Sequence, residues 1–173
     1  AGMEQKTMPD YNPYTIKRCK DCDMSNGKME LVFVPENELC AACKLVRELA
    51  KTDAKQTRAA AKPLQGTIIR NTHFHHDVNI TGTSIREWTN QPHKHFKAKN
   101  QMLLDINNVF SNAAYLGTTD NHKGIKRVVQ SHIFEVEVSG EKNLLIVREY
   151  DWGEYVLHSI SDSPELYNKI KKE

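Results

Sequence analysis

The sequence lacks the features that define several large classes of protein. No apolar run approaches the roughly 18 residues of a membrane-spanning helix, and the N-terminus has no signal-peptide pattern. Lysine and arginine number 24 against 22 aspartate and glutamate, so no strong field of one sign indicates a duplex-coating protein or an acidic tail. A phosphate-cradling glycine loop and a nucleophile elbow are also absent. We therefore expect a soluble, non-secreted protein, whose charge neither proves nor excludes a nucleic-acid ligand.

The four cysteines form two pairs. Cys19 and Cys22 make one Cys-x-x-Cys unit, and Cys40 and Cys43 make another. This is the spacing at which two knuckles place four thiolates around one zinc ion. Two disulfides or unrelated thiols are the alternative, but paired units in a reducing compartment more often bind metal. The pattern predicts a zinc-ribbon-like module over residues 1–50, with one structural zinc ion, because four sulfur ligands leave no position for substrate.

A helical spacer follows this module and separates it from a second domain. The segment 51–63 has good helix propensity but almost no apolar face, and proline ends it. Residues 64–173 then show short strands, a helical region, a loop over 117–124, an antiparallel meander and a terminal helix. The meander strands are expected over 132–138, 143–150 and 154–161. The fold class predicted for this domain is α+β, with helices packed on an antiparallel β-sheet.

Residues able to carry chemistry concentrate in two stretches of the second domain. The first surrounds the start of a predicted helix, whose N-terminal end can attract phosphate, and it supplies cations, bases and a stacking aromatic. Its members are Arg86, Trp88, His93, His95 and Lys99. The second stretch lies in the meander and combines histidines, charged side chains and hydroxyls. Its members are His132, Arg148, Glu149, His158, Ser159 and Ser161.

Alternation of side chains along the strands groups the second set by face. With a two-residue turn between the last two strands, Arg148 lies on the face of Ser159 and Ser161. Glu149 then lies on the face of His158. A slip of one residue in the register reverses this grouping.

Each of these residues also has a plain structural interpretation. Arg148 and Glu149 follow an apolar run, so they are compatible with an edge ion pair. A lone strand histidine is more often a packing residue than a catalyst. The histidine-rich run 73–76 allows a metal site with His73 and His75 on one strand face, but no third ligand is near in sequence. The residues alone leave structural and chemical roles open.

Several of these motifs resemble a known family. The segments are 84–93, Lys99-Asn100, Ser131-His132, Val147-Arg148-Glu149 and 157–163. They resemble a domain of phage head-morphogenesis and polyvalent proteins that is assigned to the barnase, EndoU, colicin and RelE-like nuclease group. The N-terminal Tyr11-Asn12-Pro13-Tyr14, together with the cysteine pairs, resembles the region before this domain in minor head proteins of the phage Mu type.

The resemblance implies a barnase/RelE-like fold and a metal-independent endoribonuclease, with RNA on the open face of the sheet. Cleavage by the 2′-hydroxyl needs a base, an acid and a cation for the charge on phosphorus. His132 and His158 are the expected acid and base, Arg148 the phosphate clamp, and Glu149 an alternative base or the partner of a histidine. Phosphate hydrogen bonds are expected from Ser159 and Ser161, and substrate contacts from Arg86, Trp88, His93, His95 and Lys99.

Two other functions remain open from the sequence. The first is a non-catalytic module that docks onto a phage head, a portal or packaged nucleic acid. The second is an ADP-ribosyltransferase-like effector, since polyvalent phage proteins also carry such enzymes, although no convincing arginine, serine and glutamate series is present. The resemblance implies a location in the bacterial cytoplasm or the phage virion. No membrane partner is expected, because the sequence has no long apolar run, and the oligomeric state is open.

Zinc content tests the metal prediction directly. We expect elemental analysis of protein purified without chelator to find one zinc ion per chain, because the small N-terminal module has too little core to fold alone. Replacing Cys19 by serine should lower that content and destabilise the module. Zinc-free native protein, or two disulfides among the four cysteines, would overturn the prediction.

Overall fold

The structure, a computed structural model, describes residues 41–121 and 123–172. Two compact units, residues 1–52 and 53–173, divide the chain. Three of the four expected zinc ligands lie outside the described residues, namely Cys19, Cys22 and Cys40. The zinc-ribbon-like module therefore stays a prediction, and the fold described below is that of the second unit.

Five α-helices lie in the described part of the chain. They are α1 (Ala41–Ala61), α2 (Gly82–Asn90), α3 (Phe96–Leu104), α4 (Ile106–Asn112) and α5 (Pro164–Asn168). The start of α2 is a capping box, in which the backbone N–H groups of Thr81 and Ser84 each donate to the hydroxyl of the other residue. Within residues 41–121 and 123–172, none of these helices combines the length and apolar character that crossing a membrane requires.

Six strands of the described residues form one sheet. They are β1 (Ile68–Ile69), β2 (Val78–Asn79), β3 (Ala114–Asp120), β4 (Val128–Val138), β5 (Glu141–Tyr150) and β6 (Tyr155–Ser161). Their order across the sheet is β1-β2-β6-β5-β4-β3. The meander β4-β5-β6 is antiparallel, as predicted. The α+β class is confirmed, but β2 runs parallel to β6, so the sheet is mixed rather than antiparallel throughout.

The two faces of the sheet have different neighbours. The helix face, as we call the side covered by α2, α3 and α4, carries the cross-strand partners Phe134, Leu145 and Ile160. These three side chains are fully buried and share one core with Trp88 of α2 and Phe110 of α4. Apolar burial of this kind is the main favourable contribution to folding. The opposite side, the back face, includes Glu135, which accepts a hydrogen bond from the α5 hydroxyl of Tyr167 at 3.0 Å.

The edge strand β3 differs from the loop predicted over 117–124. Its Gly117 has φ +138° at a bulge, where the backbone of Lys171 approaches so closely that a Cβ would collide with it. Lys171 pairs with the neighbouring Thr118 through two backbone hydrogen bonds, of 2.7 and 3.0 Å. Glycine in a strand interior weakens the sequence signal, and here it marks the bulge where Lys171 approaches a strand that is otherwise held by its pairing with β4.

The second part of the predicted spacer also differs from the expectation. The segment 51–63 is helical up to Ala61, but residues 53–61 belong to the second unit and are not a solvated link. Ala54, Thr57 and Ala61 follow one another at helical spacing and are all buried. Small side chains let this helix pack closely while adding little hydropathy to the sequence, which is why the pattern indicated a solvated helix.

Polar contacts also attach residues 53–61 of α1 to the rest of the second unit. The Asn100 amide donates to the Asp53 carboxylate at 2.7 Å, and the Arg58 guanidinium donates to the Asn90 side chain at 2.8 Å. Asn100 is 1% exposed, so its partner in α1 satisfies a buried amide nitrogen.

A truncation series tests where the second domain begins. We expect a fragment of residues 53–173 to fold and to unfold at a higher urea concentration than a fragment of residues 63–173. The shorter fragment exposes the surface beneath α1 and leaves Asn100 without its acceptor, a loss of roughly 1–3 kcal/mol for one buried polar group. Equal urea midpoints for the two fragments would show that 53–62 is a spacer after all.

Candidate active site

The register of β5 separates the strand candidates onto two faces. Glu149 has Gln130 and Tyr155 as cross-strand partners, which places it on the helix face. Arg148, the preceding residue, lies on the back face because successive side chains point to opposite sides. His132 is the Cα partner of Val147, so it shares the helix face with Glu149. The predicted catalytic set therefore does not converge on one site.

A β-bulge explains the position of His158. Val147 pairs with Leu157 and Ile146 pairs with Ser159, so His158 is an extra residue that has no cross-strand partner. Burial, the positive charge of Arg148 and that of a nearby lysine lower the pKa of His158 to about 4. The bulge interrupts strict alternation, which is why His158 is near Arg148 instead of sharing the face of Glu149.

The two predicted serine donors serve the backbone around them. Ser159 is 5% exposed, and its hydroxyl donates to the carbonyl of Ile160 at 3.2 Å. The Ser161 hydroxyl accepts the N–H of Ser163 at 3.1 Å, just before α5. Both hydroxyls therefore stabilise local chain geometry on the back face, the face of Arg148, instead of standing free to donate to a phosphate as expected.

A hydrogen-bonded chain of three side chains lies on the helix face. The Tyr115 hydroxyl is 2.9 Å from Nδ1 of His132, and Nε2 of the same ring is 2.8 Å from Oε1 of Glu149. The Gln130 amide donates to that carboxylate oxygen at 2.9 Å. Side-chain exposure is 7% for His132 and 21% for Glu149, so the carboxylate is the more accessible end. We call Tyr115, Gln130, His132, Glu149 and Tyr155 the His132–Glu149 site.

The surroundings of Glu149 keep its carboxylate ionised. Burial raises its pKa, but hydrogen bonds from Gln130 and His132 and the positive charges of His132 and His76 outweigh burial. The net result is a pKa below the usual value. Burial and the negative charge of Glu149 raise the pKa of the neighbouring Tyr155 hydroxyl. The site therefore combines an anion with an uncharged phenol.

Two rings from the segment between β1 and β2 complete the wall of the site. Phe74 lies 4.9 Å from the His132 ring and 5.6 Å from the Tyr155 ring, measured between centroids. The exposed ring of His76 stacks on Tyr155 at 4.2 Å with an interplanar angle of 19°. Asn71 anchors this segment by donating hydrogen bonds of 2.6 and 2.8 Å to two carbonyls at the end of α4.

An open cleft of about 550 Å³ adjoins the His132–Glu149 site. Tyr155 belongs to both, His76 lines the cleft where it stacks on Tyr155, and the rest of the cleft includes His75, Asn79 and Trp152. The sequence pattern singled out residues 73–76 only as a weak metal motif. His76 could not be placed beside Glu149 from sequence, because they are brought together by the parallel pairing of β2 with β6.

Trp88 and Lys99 are structural residues, which corrects their predicted contact with substrate. They are 0% and 1% exposed, and each bonds to the other's backbone. The Trp88 indole donates to the Lys99 carbonyl at 2.8 Å, and the Lys99 ammonium donates to the carbonyls of Trp88 and Gln91, both at 2.7 Å. Burial lowers the pKa of Lys99 to about 8, against the opposing charge of Asp53.

His93 and His95 lie far from the His132–Glu149 site. His93 is 4% exposed, its Nε2 is 2.8 Å from the Asn143 amide oxygen, and its Nδ1 accepts the His95 N–H at 2.9 Å. Burial lowers the pKa of His93, against the hydrogen bond that the ring donates to Asn143. Asn143 and Glu149 are six positions apart along β5, which is roughly 20 Å at about 3.3 Å per residue. Arg86 is exposed on α2, where it donates to Thr83.

The described residues hold no metal centre of recognisable composition. No group of three or more histidine, cysteine, aspartate or glutamate side chains within 41–121 and 123–172 is arranged to hold a metal ion. Cys43, the one described member of the predicted zinc set, is buried.

Comparison with known proteins gives one match. A family model described as large polyvalent protein-associated domain 3 matches residues 48–166. The matched range contains the whole six-stranded sheet and every residue of the His132–Glu149 site. No curated protein and no solved structure matches the chain.

The pH dependence of stability tests the environment of His158. Its folded pKa of about 4 lies below the ordinary value of 6.5, so the unfolded chain binds more protons between these two values. We expect the free energy of unfolding of the native protein to rise with pH through this window. His158→Gln should flatten the slope between pH 5 and 7, measured by urea unfolding, whereas a slope unchanged in the variant would contradict the assignment.

Proposed function

The chain belongs to the large polyvalent protein-associated domain 3 family, and we propose that this domain cleaves RNA without a metal ion. The observation that carries the proposal is an ionised carboxylate near an exposed histidine that lines a cleft. Glu149 supplies the carboxylate, and His76 is close enough for its charge to lower the pKa of Glu149. A base and an acid on either side of a phosphodiester are what cleavage by the 2′-hydroxyl requires.

The proposed reaction is an internal transfer at phosphorus. Glu149 removes the proton of the RNA 2′-hydroxyl, and the 2′-oxygen forms a bond to phosphorus while the bond to the 5′-oxygen breaks. His76, in its protonated form, gives its proton to the departing 5′-oxygen. The products are a 2′,3′-cyclic phosphate and a free 5′-hydroxyl, so atoms and charge balance without a metal or an external reductant.

His132 takes a positioning role in this proposal. Both of its ring nitrogens are already engaged, one by Tyr115 and the other by Glu149. Its side chain is 7% exposed, which leaves little room for contact with substrate. We assign it to orienting Glu149 and keeping that carboxylate ionised, in place of the direct acid or base role expected from the sequence.

The fold supports this function at the level of architecture. A nuclease of the barnase/RelE-like type, which the sequence motifs resemble, presents its RNA site on the face of an antiparallel sheet. Here the site lies on the helix face of a six-stranded mixed sheet, where Tyr115 and Tyr155 pack against the edge of the core. Fold alone does not decide activity, so the proposal depends on the chemistry of Glu149 and His76.

In this proposal zinc has a structural role that is separate from RNA cleavage. One ion, bound by Cys19, Cys22, Cys40 and Cys43, stabilises the N-terminal module and takes no part in cleavage. A site closed by four thiolates has no open position for a phosphate or a water nucleophile. Association with a phage head or portal through this module is compatible with a nuclease in the second unit.

Variants on the two faces of the sheet test the ribonuclease directly. We expect full-length protein in buffer without divalent cations to cleave a panel of single-stranded RNAs and tRNAs, leaving cyclic phosphate ends. Glu149→Gln and His76→Gln should each lower the rate by roughly 10²–10⁴-fold, since they remove a proton-transfer group. Arg148→Ala and His158→Ala, on the back face, should leave the rate within a few-fold.

His73→Gln is the matched control for His76→Gln. Both histidines are exposed in the same segment, but only His76 lines the cleft and stacks on Tyr155. Cleavage lost in the back-face variants but retained in Glu149→Gln would move the active site to Arg148 and His158. Intact RNA throughout the panel, or cleavage only with added magnesium, would replace the proposal with a docking module.

A further inference from the structure

The tip of the β5–β6 hairpin carries an aromatic side chain that the core does not use. Trp152 is 53% exposed, whereas Trp88, the other tryptophan of the chain, is 0% exposed. Trp152 lines the cleft together with His76 and Tyr155. Its position on the rim follows directly from the turn, in which Gly153 has φ +92°.

Neighbouring side chains hold this indole in place. Its ring stacks on Tyr150 with centroids 4.6 Å apart, and its Nε1–H donates to the Glu154 carboxylate at 3.0 Å. The Arg127 guanidinium carbon lies 5.0 Å from the indole centroid, within the range of a cation–π contact. An exposed aromatic fixed in this way loses little conformational entropy when a ligand stacks on it.

Arg127 is itself held in an uncommon backbone conformation. Its φ of +70° lies in the left-handed region, which non-glycine residues seldom adopt. The Arg127 carbonyl accepts the Asp151 N–H at 2.9 Å, and its guanidinium contacts the Asp151 carboxylate at 3.2 Å. Residues held in such conformations concentrate at ligand sites, where the surrounding structure maintains them.

The two carboxylates near the Trp152 indole already accept hydrogen bonds from other side chains. Asp151 pairs with Arg127, and Glu154 accepts from both Trp152 and Asn79, the latter at 2.7 Å. A flat aromatic surface next to a guanidinium is the chemistry that recognises a nucleobase and its phosphate. A base within a duplex has its faces covered by its neighbours, so only an unpaired base can stack here.

We propose that Tyr150, Trp152 and Arg127 form a platform that binds one unpaired nucleobase of single-stranded RNA at the rim of the cleft. The inference rests on the proposed ribonuclease function and names its substrate class. Trp152 follows Glu149 closely in the chain and lines the cleft that adjoins it, so a base on the platform places a nearby phosphate beside the carboxylate.

Tryptophan fluorescence tests the platform without requiring cleavage. Full-length Glu149→Gln is titrated with oligoadenylate and, separately, with the same strand in a duplex with oligouridylate. We expect oligoadenylate to quench the exposed tryptophan and the duplex to bind more weakly. Trp152→Ala and Trp152→Phe remove this reporter, so their affinities are measured by the anisotropy of dye-labelled oligoadenylate. Adding Trp152→Ala should weaken oligoadenylate binding by roughly 5- to 150-fold, as base–aromatic stacking is worth ~1–3 kcal/mol, while Trp152→Phe should retain most of the affinity.

Leu104→Ala is the control, because Leu104 is also an exposed apolar residue, in α3, and is absent from the cleft. Equal affinity of the parent protein and its Trp152→Ala form, or equal affinity for duplex and single strand, would overturn the platform. Such a result with active native enzyme leaves the ribonuclease intact. Binding that depends on Trp152, in a protein that cleaves no RNA, would support the platform and remove the ribonuclease.

Discussion

Alternation of side chains along β5 decides where the chemistry of this domain can lie. Arg148 and Glu149 are neighbours in sequence, but a strand sends them to opposite faces of the sheet. Glu149 therefore meets His132 and the segment between β1 and β2, whereas Arg148 meets His158. His158 is the extra residue of a bulge, and the residues on both sides of it stay buried. The bulge therefore leaves His158 near Arg148, away from the face of Glu149.

Trp88 and Lys99 are residue types that often bind substrate, but here they stabilise the fold. A buried ammonium is unfavourable unless it is fully hydrogen-bonded. Lys99 satisfies this condition at the C-terminal end of α2, where unpaired carbonyls and the helix dipole favour a cation. The reciprocal bond from Trp88 joins α2 to α3 and so supports the helical layer over the sheet. Residue type alone does not distinguish this arrangement from a phosphate-binding one.

The sequence predicted the parts of the fold that depend on local pattern. Alternating apolar residues and turn signals located the meander and the α+β class, because each strand buries its own side chains. The strand β3 was missed because it depends on the close approach of Lys171 to Gly117, a contact distant in sequence. The buried face of α1 was missed because alanine and threonine pack closely while contributing little hydropathy.

Long-range strand pairing also explains which site residues could be predicted from the sequence. His132 and Glu149 were candidates because they lie on adjacent strands of one meander, a local relationship. His76 comes from a segment that joins the sheet only when β2 pairs in parallel with β6. Nothing in the run 73–76 reveals this pairing, so its histidines suggested a weak metal motif instead of a partner for Glu149.

The electrostatics of the site bear on how a carboxylate with a lowered pKa can act as a base. In the free protein, donors from Gln130 and His132 stabilise the anion and so weaken its basicity. A phosphodiester entering the cleft brings a like charge towards Glu149, and a like charge raises the pKa of a carboxylate. In the proposed mechanism, the substrate would therefore make the Glu149 carboxylate a stronger base when it binds, and nucleic acids without a 2′-hydroxyl would bind without reacting.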